Sequence, residues 1–383
     1  MTVGLNQNHT YKRMLLTLNM GRVDIAVATT RQANRVNYPD LDLMKLFMAL
    51  LVVEIHTRPL IGFHFAEIAV EGIEVLAVPF FFLASAFLCF RGLSYASFGE
   101  ATLTGAERVR NTIVKLLRLY LIWTLLYFPI TVFGNVLLGN SLRQASLSFV
   151  RGTLFVGENY YSWPLWYLLA SVVGFTIVYV CLRRGGRFKT IIPFSLLFLL
   201  VGFGITYVQG WDGAPTYLAV PIKVYCRVFG GSRNGLFEGF FYIAVGAALG
   251  MKWDQLNRVP LSLEIASVTL GLAGNYLVNN DAHLPFCAIA SIGLFLLSVR
   301  RHGTSLNSRA RARCLSTIIY LVHMYFVVVF VYGICGESNP NLYANSVNRP
   351  LLFLFALSCS ILVSVLVTSA SKRVPAIKTV FGI

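Results

Sequence analysis

The sequence predicts an all-α, polytopic integral membrane protein with about ten transmembrane helices, and three observations lead there. The first is composition. Apolar residues make up 56% of the chain and charged residues only 13%, against about a quarter charged in a soluble domain. The second is that apolar segments of about 17 to 25 residues, the length that crosses a bilayer as a helix, recur along the chain. The third is the placement of the basic residues, which gather in alternate connectors. The formal charge of +16 would suggest a nucleic-acid partner in a soluble protein. Sorted this way it points to the two sides of a membrane, and no nucleic acid is expected.

Spans can be drawn at 41–59, 73–90, 113–138, 164–182, 191–208, 235–251, 261–278, 285–299, 316–335 and 350–370. Residues 1–38 read as a polar N-terminal tail without a cleavable signal peptide, because their apolar stretches are short and interrupted. Residues 39–371 form the membrane domain and 372–383 a C-terminal tail. One set of connectors, tails included, holds 24 Lys and Arg, and the other holds seven: Arg58, Arg143, Arg151, Lys223, Arg227, Arg233 and Arg349. By the positive-inside rule both termini are expected in the cytoplasm of a multi-pass cell-membrane protein. The connectors 139–163 and 209–234 then lie outside. The Gly, Pro and aromatic residues of the second suggest a partly re-entrant loop. Seven scattered cysteines give no metal-ligand spacing and read as apolar filler, with Cys226 and Cys335 near enough to one face to pair. No metal is expected.

The first span carries ionisable residues that need an explanation. Lys45 and His56 are eleven residues apart, which places them on nearly one helix face about 16 Å apart along the axis. Charged groups at membrane depth are costly unless they face a bundle interior or a wet cavity. Lys45 is then expected toward the cytoplasm and His56 toward the outside. Asp42 and Lys45, three apart, are positioned to pair. Glu54 falls half a turn off this stripe and is expected to meet a cation on a neighbouring helix or to be protonated.

Several motifs together resemble membrane acyltransferase family 3. They are Asp42-x-x-Lys45, the step to His56, Pro79-x-Phe81-Phe82-x-x-Ser85-Ala86, Leu165-Trp166-Tyr167-Leu168 and Ile319-Tyr320-Leu321-x-His323. The resemblance covers about 38–370. It implies a ten-helix O-acyltransferase, an acetyltransferase above all, moving an acyl group from cytoplasmic acyl-CoA to a hydroxyl of an envelope glycan or small acceptor. No cofactor is held permanently; acetyl-CoA is a substrate. The run Arg233-Asn234-Gly235-Leu236-Phe237 resembles a subgroup that includes the membrane half of bacterial serine racemases. The chain departs from the family at Lys45, where Arg is usual, and at Ala86, where Gly is usual. Lys offers a point charge instead of a planar fork.

On this reading His56 is the general base that takes the acceptor proton. Asp42, Lys45, Lys115 and Arg118 form the donor-binding set, and Ser85, Trp166, Tyr167, Arg233, Asn234 and His323 line the cavity or acceptor path. Each has a plainer alternative. His323 reads equally as a packed histidine, Trp166 and Tyr167 as an interfacial belt, Lys115 and Arg118 as ordinary anchors, and Ser85 as a hydroxyl bonded to the carbonyl four residues back. The rival function is a transporter of a small polar solute such as an amino acid, which should show repeats or paired broken helices. None is visible in the sequence.

Overall fold

A computed structural model describes residues 38–99, 104–256, 258–277, 285–300 and 310–383. The N-terminal tail apart from Tyr38, and the basic residues Arg301 and Arg309, lie outside the described residues. Those described are helical, with no strand among them. In order they form α1 (Pro39–Thr57), α2 (His64–Glu74), α3 (Ala77–Phe90), α4 (Thr104–Leu137), α5 (Leu142–Arg151), α6 (Trp166–Arg183), α7 (Phe188–Gly210), α8 (Thr216–Phe229), α9 (Phe240–Met251), α10 (Trp253–Leu256), α11 (Leu261–Leu277), α12 (Pro285–Val299), α13 (Ala310–Val328), α14 (Arg349–Ala370) and α15 (Pro375–Phe381).

Every predicted span falls on a helix. Six stretches are long and apolar enough to cross a membrane: His64–Phe90, Thr104–Leu137, Trp163–Arg183, Phe188–Gly210, Arg311–Ile334 and Arg349–Ala370. Gly235–Met251 and Pro285–Val299 are apolar but shorter. The two remaining predicted spans lie on α1 and α11, of 19 and 17 residues. The chain is therefore a multi-pass membrane protein embedded in the bilayer. Its outer helices expose what a soluble protein would bury: Leu121, Leu125, Phe128 and Val136 on α4, and Leu354, Leu362, Val365 and Leu366 on α14. In lipid such a surface carries no hydrophobic penalty.

The interior is built by α1, α3, α6, α9 and α13. α1 lies against α13 and α3 against α9, while α4 packs on α6. The α3–α9 contact is close because Gly246 and Gly250 face backbone: a Cβ on either would stand 2.5 Å from the Leu83 carbonyl oxygen or 2.7 Å from that of Phe87. Two small residues four apart let helices approach where apolar burial gives no drive for association. Ala86 sits opposite this glycine pair in the regular interior of α3 and is fully buried. Its backbone needs no left-handed conformation, so alanine in place of the usual glycine is accommodated.

The connectors depart from expectation. Residues 209–234 hold the helix α8, which buries none of its residues. α8 meets the other long connector where Arg151 Nε donates to the Val228 carbonyl at 3.2 Å and Phe155 meets Phe229 edge to face. The stretch 372–383, expected as a tail, contains α15, which docks on α4: the Trp123 indole donates to the Val380 carbonyl at 2.8 Å. Cys226 and Cys335 are both free thiols and are not joined.

Candidate active site

A cavity of about 650 Å³ opens at the end of the bundle where α1 begins and α3 ends. Lys45, Arg108, Lys115 and Arg313 bring four cations to its lining, and Ser85, Tyr167 and Tyr320 lie deeper. A shallower groove of about 470 Å³ adjoins it and shares Arg108, Thr112 and Lys115. The expected Asp42–Lys45 pair gives way to a longer-range one. Arg313 forks onto Asp42, Nε to Oδ1 at 3.1 Å and Nη2 to Oδ2 at 2.8 Å. The planar guanidinium matches both carboxylate oxygens, which a lysine cannot do. Lys45 is thereby left facing the cavity. Lys115 Nζ donates to the Gly382 carbonyl at 2.8 Å, bringing α15 to the cavity rim. Arg118 is exposed and does not line the cavity. Three residues along a helix is close to, but short of, a full turn, and here Arg118 points away while Lys115 points in.

Above the cavity stands a column of rings. Phe81, Tyr167 and Tyr320 form a triangle with centroids 5.8–5.9 Å apart. The Tyr167 hydroxyl meets Ser85 Oγ at 3.0 Å and donates to the Phe81 carbonyl at 3.2 Å. The carbonyl that Ser85 was expected to use is thus taken by Tyr167. The Tyr320 hydroxyl donates to the Pro164 carbonyl. One turn on, His323 is fully buried and stacks on His56 with centroids 5.4 Å apart and planes at 23°. His56 in turn lies 5.7 Å from Trp163, and Trp163 stacks on Tyr343 at 5.9 Å.

The two imidazoles are unusual in what they lack. His323 Nδ1 donates to the Ile319 carbonyl at 3.0 Å, which leaves Nε2 as the lone-pair nitrogen of the neutral ring. His323 Nε2 and His56 Nδ1 are both buried and have no hydrogen-bond partner among the described residues. Buried polar atoms are nearly always satisfied, and exceptions gather at sites that receive a ligand. A loop closes over this pair. Arg349 Nη2 donates to the carbonyls of Leu342, Tyr343 and Asn345 at 2.9–3.2 Å, and the Arg58 guanidinium lies 5.1 Å from the Tyr343 ring centroid. Arg58 ends α1 with φ 48°, a left-handed turn that stops the helix two residues after His56.

A second, polar pocket of about 300 Å³ meets the basic cavity's inner end at the first turn of α6, on the other face of that helix. Glu158, Trp166, Thr206, Gln209, Ser232 and Arg233 contribute its polar lining. Arg233 lies over the Trp166 ring, 5.1 Å from its centroid, and 3.8 Å from the buried Glu238 carboxylate. Burial pushes the Glu158 carboxyl up to about 7, with Arg233 and Arg151 acting in the opposite sense. Adjacent residues of α6 thus serve different chambers, Trp166 the polar pocket and Tyr167 the basic cavity. Asn234 takes a different part. Its side chain accepts from the amides of Leu236 and Phe237 and donates to the Tyr225 hydroxyl and the Gly231 carbonyl. It caps the turn leading into α9 and does not line the pocket.

Glu54 lies beside another acid, Glu74 of α2, and its Oε2 is buried without a hydrogen-bond partner among the described residues. Sequence reasoning did not single out Arg313, Arg108, Glu158, Trp163, Tyr343 or Arg349. Arg313 and Arg349 were counted only as connector charges. Their roles depend on partners remote in the chain, although the aromatic run Tyr160-Tyr161-Ser162-Trp163 was a local signal of an ordered loop.

Residues 38–369 match the family model described as an acyltransferase domain, acyltransferase family 3. Among curated proteins, the chain is 27% identical over 349 residues to an amino-acid racemase of Enterococcus faecalis, covering 87% of this chain and 46% of that protein. It is 26% identical over 303 residues to a serine/alanine racemase of Enterococcus gallinarum, covering 75% of this chain and 40% of that one. The chain therefore spans less than half the length of these relatives. No solved structure matches it. With the family model covering nearly the whole described bundle, the chain belongs to acyltransferase family 3.

Proposed function

We propose that the protein moves an acyl group, in the first instance acetyl, from acyl-CoA to a hydroxyl of a cell-envelope glycan or a small acceptor on the other side of the membrane. One observation carries this reading: the ring column joins a four-cation cavity to a pair of imidazoles with unpaired nitrogens, beside a separate polar pocket. The cations suit the phosphates of coenzyme A, and its pantetheine arm is long and thin enough to follow the cavity inward. The basic connectors at this end support a cytoplasmic side for it, and for both termini.

In the reaction the acceptor oxygen attacks the thioester carbonyl carbon while His56 takes its proton. The new C–O bond forms, the C–S bond breaks, and the proton passes to the departing thiolate. A positioned base of this kind contributes about 10²–10⁴ in rate. His323 holds the neighbouring ring position, and Trp163 and Tyr343 keep bulk water from His56. The test is mass spectrometry of envelope material from cells with and without the gene, and from cells carrying His56→Gln. Loss of an acyl ester in both deficient strains is expected. An unchanged ester profile would sink the proposal.

A second reading follows from the named relatives, which are amino-acid racemases only partly covered by this chain. Here the bundle carries an amino acid across the membrane. Uptake of labelled serine by vesicles containing the protein, with no acyl ester formed on any acceptor, is the result that favours it.

A further inference from the structure

The charge budget of the polar pocket is lopsided. Of its two charged lining residues, Arg233 is already engaged by the Trp166 ring and by Glu238. Arg151, the other cation near Glu158, spends its Nε on the Val228 carbonyl. The Glu158 carboxylate has neither a hydrogen bond nor an ion pair to any described residue. The uncommitted charge in this pocket is therefore negative. Around it stand the Gln209 amide and the Thr206 and Ser232 hydroxyls, which are 2.6 Å apart. A carboxylate in such a recess loses solvation and regains it only from a cationic or multiply donating partner.

We propose that this pocket recognises an aliphatic ammonium group borne next to a hydroxyl, with the Glu158 carboxylate as its counter-charge. A cavity of about 300 Å³ is at the lower end of ligand-site volumes and admits a compact molecule. Hydroxy amino acids, amino alcohols and amino sugars share this chemistry. As the identity of the acceptor the inference rests on the acyl-transfer reading; as a binding site it stands without it. The groups whose charge Glu158 feels or influences are Arg233, Arg151, Tyr120, Tyr320 and Tyr343. With its carboxyl titrating at about 7, ammonium binding is strong above that pH and weakens as pH falls through it.

The test is calorimetric titration of the purified, detergent-solubilised chain without acyl donor. L-serine, ethanolamine and glucosamine are compared with glycerol and glucose, at pH 8 and pH 6. At least one amine should bind about tenfold or more tighter than either hydroxyl-only compound, and about tenfold more weakly at pH 6. Glu158→Gln, close in shape, should abolish that preference, with Glu158→Asp retaining part of it and the melting temperature of both variants reporting that they fold. Equal binding of amines and plain polyols, or a Gln variant that keeps the preference, would overturn the assignment. An amine that binds but is never acylated leaves the site standing, and together with an unchanged envelope ester profile it removes the acyl-transfer reading. Efficient acylation of plain polyols, insensitive to Glu158, does the reverse.

Discussion

The two pockets share one helix, α6, and are otherwise walled by different parts of the chain. In the Lys45 pocket the lining is cationic, wide and open, with four basic side chains around about 650 Å³. In the Trp166 pocket it is narrow and mixed, with about 300 Å³ and an uncommitted carboxylate. The ring column beside them is nearly dry, and its unpaired nitrogens belong to His56 and His323. A charged donor is held by many weak, redundant contacts, whereas a small acceptor is selected by one or two specific ones. Substitutions should therefore act gradually in the first pocket and sharply in the second and in the column.

The largest effect is expected in the column. His56→Gln should lower acyl transfer by about 10² or more with abundance unchanged, and His323→Gln by less. Rates from purified protein decide this; near-normal turnover of the His56 variant would dissolve the division into two chambers and a reaction centre. Breaking the fork at the basic end comes next. Arg313→Ala leaves Asp42 without its partner, and because the guanidinium is half exposed and screened by solvent the loss is roughly 1 kcal/mol, seen as reduced thermal stability with a raised donor KM. Asp42→Asn with Arg313→Gln should recover part of it.

Lys45 sharpens the same end. Lys45→Ala should raise donor KM about tenfold, while Lys45→Arg should keep or improve it. Equal loss in both would make Lys45 a packing residue. The smallest effect concerns pH. A carboxyl raised to about 7 in the folded chain binds its proton more tightly there than when unfolded. Its contribution to stability is thus favourable at low pH and is lost as pH rises toward 7. Glu158→Gln should raise the melting temperature by roughly 2 °C at pH 8 and leave it unchanged near pH 4. A gain that did not depend on pH would show that ionisation of Glu158 is not its source, and a loss at pH 8 would show that Glu158 is paired.

The apolar helices and the class of the protein were legible in the sequence, whereas α4 begins at Thr104, ahead of the expected start at 113, and α8 and α15 were not foreseen. Hydropathy, length and basic asymmetry are properties of contiguous segments, and a bilayer reads contiguous segments. The alignment of Lys45 with His56 was legible too, because helix periodicity is local. Partner choice was a different matter. Asp42 prefers Arg313, 271 positions away, to Lys45 three positions away, because a fork matches a carboxylate better than a point charge. Glu54 meets Glu74 because α2 folds back beside α1. Trp166 and Tyr167, neighbours in the chain, face different chambers because successive helix positions turn by about 100° and the walls belong to other helices. Asn234 looked like a ligand-facing amide and caps a turn, since the π-turn before α9 exposes amides that need an acceptor. What the sequence by itself determined is what each segment carries and which segments are apolar enough to enter the bilayer. The tertiary structure alone decided which distant groups meet, because hydrogen-bond geometry and exclusion of water are settled only when separate helices close on one another.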